Sequence, residues 1–330
     1  MVEKVLVLGS NSFSGSHFAS YLLDQGLEVI GVSRSPEPDP VFLPYRWGSG
    51  AARFAFHRLD INHDLGAIEA LMRRERPGVV INLAAQSMVG ESWKNPDHWM
   101  MTNVVSTVRL HEMLRGLDFL DRYVHVTTPE VYGSTEGFIT EDAPFRPSTP
   151  YAVSRAAGDM SLLSYFQAYK FPVVFTRAAN VYGPGQQLYR ILPRAILFML
   201  TGRTLSLHGG GTSRRSFIHI RDVADATWRI ARSAPLGEAY HISTNEIVSI
   251  RELIERVCTK LGVRFEDAVE VVGERTGKDA AYMLDSAKLR RELGWSEQVS
   301  LDAGIDQCIA WVRDNLETLR GLPMDYVHKP

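Results

Sequence analysis

The sequence is short of several features that would each announce a class of protein. Of its 330 residues only two are cysteine, Cys258 and Cys308, and no Cys-x-x-Cys occurs. That excludes a disulfide framework and a thiolate metal site, and leaves two reduced, buried thiols as the expectation. Neither sign of charge dominates: 36 basic against 38 acidic residues give a formal net charge of −2. There is thus no electrostatic case for nucleic acid, and any anionic ligand must be met locally. No run approaches the roughly 18 uninterrupted apolar residues of a membrane span. Met1–Lys4 passes directly into Val5–Leu8 with no long apolar leader and no small-residue cleavage site, so a cytoplasmic protein with no membrane partner is expected. His57, His63, His98 and His111 share no ligand spacing, so no metal is expected. Repeats at solenoid periods, low-complexity tracts and heptads are absent too.

What is present is an ordinary globular composition, 45% hydrophobic and 22% charged, in a chain longer than one average domain. Short β-branched runs (Val5–Leu8, Glu28–Val32, Val79–Leu83, Tyr123–Thr127, Val173–Arg177) alternate with segments of helical period. Phe18, Tyr21, Leu22 and Leu23 stripe one helix, and Val104, Val105, Val108 and Met113 another. Near-continuous apolar strands separated by amphipathic helices predict an α/β fold with a doubly wound parallel sheet of Rossmann type. Ser35–Gly50, without periodicity, is expected to be an irregular surface loop, either a lid or an insertion. The rhythm changes after Arg177, where Asn180–Gly185 is turn chemistry and Ile191–Met199 begins a new amphipathic helix. A dinucleotide-binding domain over 1–178, with about 214–245 added, and a smaller α/β substrate lobe over 179–213 and 246–330 are therefore expected.

The turn Gly9-Ser-Asn-Ser-Phe-Ser-Gly15 lies between the first strand and the first helix, the context a dinucleotide fingerprint needs. Gly9 suits the tight turn and Gly15 the close packing of helix on strand. The pyrophosphate then meets the positive end of the helix. Ser12 stands where a middle glycine would be, narrowing the approach but offering a hydroxyl donor. The second strand ends in Ser33-Arg34-Ser35 with no carboxylate for the ribose hydroxyls. A guanidinium flanked by hydroxyls suits a 2′-phosphate, so NADP is the expected cofactor and NAD the alternative.

Thr127-Thr-Pro-Glu-Val-Tyr-Gly133 follows the fourth of these strands at the carboxyl edge of the sheet, which places Thr128 and Glu130 in the crevice. Further on, Tyr151 and Arg155 form an i,i+4 pair on one helical face. A cation beside a phenol favours phenolate, which makes Tyr151 the expected base for a sugar hydroxyl.

These stretches together resemble the extended short-chain dehydrogenases/reductases, in the branch of nucleotide-sugar 4,6-dehydratases, epimerases and decarboxylases. The matching residues are the glycine turn, Asp60-Ile61, Leu83-Ala84-Ala85-Gln86, Asn103, Thr-x-Glu-Val-Tyr-Gly, Pro150-Tyr151-Ala152 and Asn180-x-Tyr-Gly-Pro. The resemblance implies a cofactor site of Gly9, Asn11, Ser12, Phe13, Gly15, Arg34, Asp60, Ile61, Leu83, Ala84, Ala85, Gln86, Asn103, Tyr151 and Arg155. It implies Thr128, Glu130, Tyr151 and Arg155 as catalytic residues. It also implies a nucleotide-diphosphate sugar contacted by Ser87, Thr128, Asn180, Arg215 and Arg275, the two arginines gripping its diphosphate. A homodimer formed through the helix after Asn103 and the helix beginning at Tyr151 belongs to the same implication.

Two departures stand out. The family's Tyr-x-x-x-Lys is Tyr151-x-x-x-Arg155 here, and the aspartate that precedes the glutamate in dTDP-glucose dehydratases is Pro129. Guanidinium keeps the charge near Tyr151 with a wider fork than an ammonium. Loss of the aspartate resembles GDP-mannose 4,6-dehydratases, which use Thr-x-Glu and NADP. The expected function is nucleotide-sugar 4,6-dehydration: C4 oxidation, C5 deprotonation by Glu130, loss of water from C6 and hydride return. A UDP-glucuronate decarboxylase or a 4-epimerase is the alternative, and a catalytically silent dinucleotide-binding homologue a second one.

Overall fold

The computed structural model describes residues 3–273 and 283–329. Its centre is a seven-stranded sheet with the spatial order Ala239–Ile242, Val173–Ala178, Arg122–Val126, Val79–Asn82, Lys4–Leu8, Glu28–Ser33, Phe54–Arg58. Every neighbouring pair in it is parallel. Val5, Leu6, Val7 and Leu8 are wholly buried, as are Val80 and Ile81, because helices cover both faces of the sheet. The chain builds outward from Lys4–Leu8 to one side and then returns to Val79–Asn82 on the other. The crevice outside the carboxyl ends of strands at such a reversal is where ligands bind in open α/β sheets.

Two of the seven strands lack the apolar signature by which the others are recognised. Phe54–Arg58 is an edge strand with mixed burial. Ala239–Ile242 carries His241, buried because its ring shares a 2.8 Å hydrogen bond with the Tyr132 hydroxyl.

The second lobe has its own core, in which Ile196, Leu197, Leu253, Ile254, Val257, Ile305 and Val312 are packed together. Helices Ile191–Leu200, Ile250–Leu261 and Leu301–Asp314 supply it. A three-stranded sheet of Ile247–Ser249, Arg214–His219 and Asn180–Tyr182 sits beside it. Strand Arg214–His219 thus pairs within this small sheet, while the chain after it goes back to the main sheet at Ala239. Cys258 and Cys308 are free and buried here.

Ser35–Gly50 is not the irregular surface loop that its composition suggests. It forms short 3₁₀ turns at Pro40–Phe42, Pro44–Arg46 and Ser49–Arg53. Leu43 and Tyr45 join the core under the first helix, and Val41 joins the core of the second lobe. The Trp311 indole donates to the Val41 carbonyl at 3.3 Å. Apolar side chains spaced without periodicity are buried here by tertiary packing, which no local pattern records. Among the described residues no helix is long and apolar enough to cross a membrane.

Candidate active site

Ser12 begins the site. It caps the helix Phe13–Asp24: its hydroxyl accepts from the Gly15 amide at 3.0 Å and donates to the Gly9 carbonyl at 2.8 Å. The expected extra donor to a phosphate is therefore engaged within the turn itself. The amides of Phe13 and Ser14 are left as the orphan donors of the first turn. The backbone of Gly9 has φ +82°, and a Cβ there would lie 2.9 Å from the Ala84 amide nitrogen; one on Gly15 would lie 2.1 Å from the Gly9 carbonyl oxygen. Gly9 is thus required by conformation and by contact, and Gly15 by contact.

From this turn a cleft of about 520 Å³ extends towards the second strand, lined by Asn11, Ser33, Arg34, Ser35, Asp60 and Ile61 on one side and Leu83, Ala84, Ala85 and Gln86 on the other. A second cleft of about 610 Å³ continues from it towards Ser87, Thr128, Glu130, Tyr151, Arg155 and Asn180. Ser12, Leu83, Ala85 and Gln187 line both. The result is one elongated groove, with an adenosine-sized end, a phosphate turn at the middle and a polar, titratable far end.

Tyr151 is placed by its helix. Thr149 caps Pro150–Tyr169 through a 3.1 Å bond from the Ala152 amide, and Pro150 fills the first helical position, where no N–H is missed. One turn on, Arg155 donates to the main-chain carbonyl of Val126, at the end of the strand Arg122–Val126. Its Nε is buried without a hydrogen-bond partner. Burial raises the Tyr151 phenol above its ordinary value, and Glu130 adds to this; Arg155, a hydrogen bond with Thr128, and Arg190 act against it. Thr128 also caps the short turn Pro129–Tyr132, accepting from the Glu130 amide at 3.3 Å. Pro129 supplies the fixed φ that this turn starts with. Gly133 closes it at φ +68°, where a Cβ would strike the Arg146 carbonyl.

Behind the cleft lies a buried ionic network. Arg177 donates to Asp159 at 2.8 Å and to the Tyr132 hydroxyl at 2.9 Å, and His125 Nε2 lies 3.4 Å from the other Asp159 oxygen. Burial alone would raise the Asp159 carboxyl, but Arg177 and His125 hold it down at about 2. This network anchors Tyr132 of the Thr-x-Glu-Val-Tyr-Gly turn, and so fixes where Glu130 points.

Several expected site residues stand elsewhere. Asn103 lines neither cleft. It is buried in a π-helical turn, Met101–Ser106, where it accepts from the Gln86 amide, donates to the Gln86 carbonyl and donates to Ser154. Its role is to hold the Gln86 backbone against the Tyr151 helix. Arg215 also lies outside both clefts, donating to the Arg214 carbonyl at 2.8 Å on its strand. Arg275 lies outside the described residues. Conversely, Gln187, Tyr189 and Arg190 line the far cleft although no role was read for them individually. The only signal was their place in the loop after Tyr182. Met88 lines it as well.

The comparisons agree with this geometry. The family model for GDP-mannose 4,6 dehydratase matches residues 6–308. A dTDP-glucose 4,6-dehydratase of Neisseria meningitidis is 31% identical, over 95% of this chain and 94% of its own. The chain belongs to the nucleotide-sugar 4,6-dehydratases of the extended short-chain dehydrogenase/reductase family. It is thereby a hydro-lyase. The crystal structure of a Streptomyces venezuelae dTDP-glucose 4,6-dehydratase, solved with NAD and TYD bound, has a TM-score of 0.86 at 31% identity, covering 96% of this chain and 99% of that one. A Thermotoga maritima UDP-glucose 4-epimerase solved with UDP-glucose has the same TM-score at 25% identity, over 95% and 99% of the two chains. A nicotinamide dinucleotide fits the residues present: two glycines that a Cβ would block, orphan amides at a helix start and a buried guanidinium Nε with no partner.

Proposed function

We propose that this enzyme removes water across C5 and C6 of a nucleoside-diphosphate hexose after oxidation at C4, with its chemistry at the Tyr151 end of the groove. The observation that carries this reading is the continuity of the two clefts, since Thr128, Glu130 and Tyr151 line the one that runs on from the dinucleotide turn. A nicotinamide bound in this groove would supply the acceptor for the C4 hydride and the source of its return to C6.

The chain's own residues do the rest. Tyr151 takes the C4 hydroxyl proton, while Thr128 holds that hydroxyl within reach. Arg155 stabilises the phenolate against the burial that opposes it. Glu130 then takes the C5 proton, made acidic by the C4 ketone. Glu130 is the acidic residue of the far cleft among the described residues, and Pro129 occupies the place of a second acid. The proton that Glu130 has gained from C5 is therefore the one it hands to the departing C6 hydroxyl, so that water leaves and the carboxylate is regenerated; when the hydride adds to C6, C5 takes a proton from solvent, and Tyr151 gives up to solvent the proton it took from the C4 hydroxyl. Asn180 lies on the same wall, positioned for the sugar nucleotide. The proposed division of labour puts cofactor binding in 1–178 with about 214–245 and substrate binding in 179–213 and 246–330.

The cofactor reading is NADP. Arg34 between Ser33 and Ser35 presents a cation and two hydroxyls at the ribose end, and Glu37, the carboxylate nearest in sequence, is engaged by Arg46 at 2.8 Å and by Tyr45 at 3.0 Å. Titration of the protein with NAD and NADP tests this, and tighter binding of NAD would overturn it. A homodimer is the proposed assembly. Met101, Val105, Val153 and Met160 are 38–61% exposed on the helical layer that carries Asn103 and Tyr151, an apolar face that association would cover. A monomer in sedimentation would reject it.

A further inference from the structure

The segment Asp325–Lys329 lies far in sequence from every motif above, yet it crosses the rim of the adenosine cleft. The carbonyl of Lys329 accepts two hydrogen bonds at once, from Arg34 Nη2 at 2.9 Å and from Gln86 Nε2 at 2.7 Å. These donors stand on opposite walls of the cleft, one at the end of the strand Glu28–Ser33 and the other after Val79–Asn82. The Lys329 ammonium donates to the Ser35 hydroxyl at 3.1 Å, and Lys329 itself lines the cleft.

The segment is tied down on the way there. The Asp325 carboxylate accepts from Arg194 at 2.7 Å. The Tyr326 ring lies edge-on to Tyr189, with centroids 5.5 Å apart. His328 Nε2 and His98 Nδ1 are 2.8 Å apart in rings 13° from parallel, which makes them an edge-to-edge imidazole pair, and Trp99 lies within 12° of the His328 plane at 5.1 Å. These anchors sit on both lobes, since Arg194 and Tyr189 belong to the second and His98 and Trp99 to the first.

We propose that residues 326–329 complete the dinucleotide site, closing over the bound cofactor from the Arg34 wall to the Gln86 wall, with the Lys329 ammonium joining Arg34 around the adenosine ribose. A cleft of about 520 Å³ remains beneath the segment while it is in place, so it covers the site instead of filling it. The charge is suited to an anion. Arg34 and Lys329 converge near Ser35, and Arg58 approaches through a 3.3 Å bond to the Arg34 carbonyl. A cofactor that is reduced and reoxidised within one turnover has no need to leave, and a cover across the groove holds it through the cycle. The ribose-phosphate part of this proposal rests on the NADP reading above; the cover itself does not.

The test is the dissociation rate of NAD and of NADP, followed by stopped-flow fluorescence, for the full chain, a variant stopped after Met324, and the single variants H328A and K329A. The ring of His328 packs on His98, Trp99 and Tyr326, none of which lines the groove, so H328A loosens the anchor and stays informative if the shortened chain does not fold. Release of the preferred dinucleotide is expected to quicken about tenfold in the shortened chain and several-fold in H328A, and K329A is expected to weaken NADP more than NAD. Unchanged release in both the shortened chain and H328A, or tighter cofactor binding once the segment is removed, would overturn the proposal. If the unaltered protein prefers NAD, the phosphate reading fails, while faster NAD release from the shortened chain still upholds the cover.

Discussion

Arg155 is held by the carbonyl of Val126, so that its charge lies one helical turn from Tyr151, and among the described residues no carboxylate forms an ion pair with it. The position usually taken by a lysine is thus served by a guanidinium that the end of a central strand pins in place. Its effect on the phenol is electrostatic: burial raises the Tyr151 pKa and Arg155 counteracts it.

Replacing Arg155 by alanine removes that counterweight. The Tyr151 pKa then rises further, and the pH at which turnover reaches its alkaline plateau moves upward. A loss of about 100-fold in kcat at neutral pH accompanies the shift, since an uncharged phenol is a poor base there. Arg155→Lys keeps a cation and loses less. The pH profile of kcat checks this, and a profile in R155A that is lower but not displaced would assign Arg155 a structural role only.

Glu130→Gln separates the two halves of the reaction. The variant is expected to oxidise C4, giving the absorbance of reduced nicotinamide, and to release water at least about 100-fold more slowly than the parent. Undiminished dehydration would remove Glu130 from both its base and its acid role.

The Asp159–Arg177 pair is buried, with side-chain exposures of 0% and 3%. Asp159→Ala leaves the guanidinium buried without its anion and is expected to destabilise the fold by about 3–5 kcal/mol. Because the Asp159 pKa is depressed to about 2, the pair's contribution is complete above the ordinary aspartate pKa and is lost as pH falls through about 2. Urea unfolding of the variant measures the first statement, and a loss below about 1 kcal/mol would contradict it.

Histidines set a second pH dependence. His219 is lowered to about 4 and His241 to about 3, both chiefly by burial, and burial also lowers His111 and His125. His219 accepts from the Arg221 amide at its Nδ1, which requires a neutral ring. The unfolded chain binds these protons near pH 6.5 and the folded chain does not, so stability falls as pH drops from about 6.5 towards 4. Each group contributes a slope of up to about 1.4 kcal/mol per pH unit. Thermal midpoints at pH 7.5, 6.5 and 5.5 test the sign; a midpoint that holds steady or rises on acidification would refute it.

How far the sequence reveals this molecule depends on whether the information is local. The strand Val5–Leu8, the glycine turn and the pair Tyr151–Arg155 are legible because a repeating apolar pattern or a fixed spacing carries them; that Tyr151, Thr128 and Glu130 line one cleft follows from the tertiary fold and is implied by the resemblance alone. Leu43 and Tyr45 are not legible: their burial comes from packing under a helix that begins thirty residues earlier. Asn103 was recognisable as a motif residue, but its service to Gln86 and Ser154 depends on a widened helical turn that no spacing reveals. Lys329 carries no signal of any kind, since its meeting with Arg34 spans nearly the whole chain. Arg215 shows the converse, a residue named by resemblance that lines neither cleft, although its strand pairs with Asn180–Tyr182, of which Asn180 and Val181 line the far one.

The most direct measurement of the central claim is the mass of the product formed when the protein, supplied with catalytic NADP or NAD, is incubated separately with dTDP-glucose, GDP-mannose, UDP-glucose and UDP-glucuronate. Loss of one water from one of the hexose nucleotides, without net accumulation of reduced cofactor, is the predicted result. Loss of carbon dioxide from UDP-glucuronate, a change of sugar configuration at constant mass, or no conversion of any donor would contradict it.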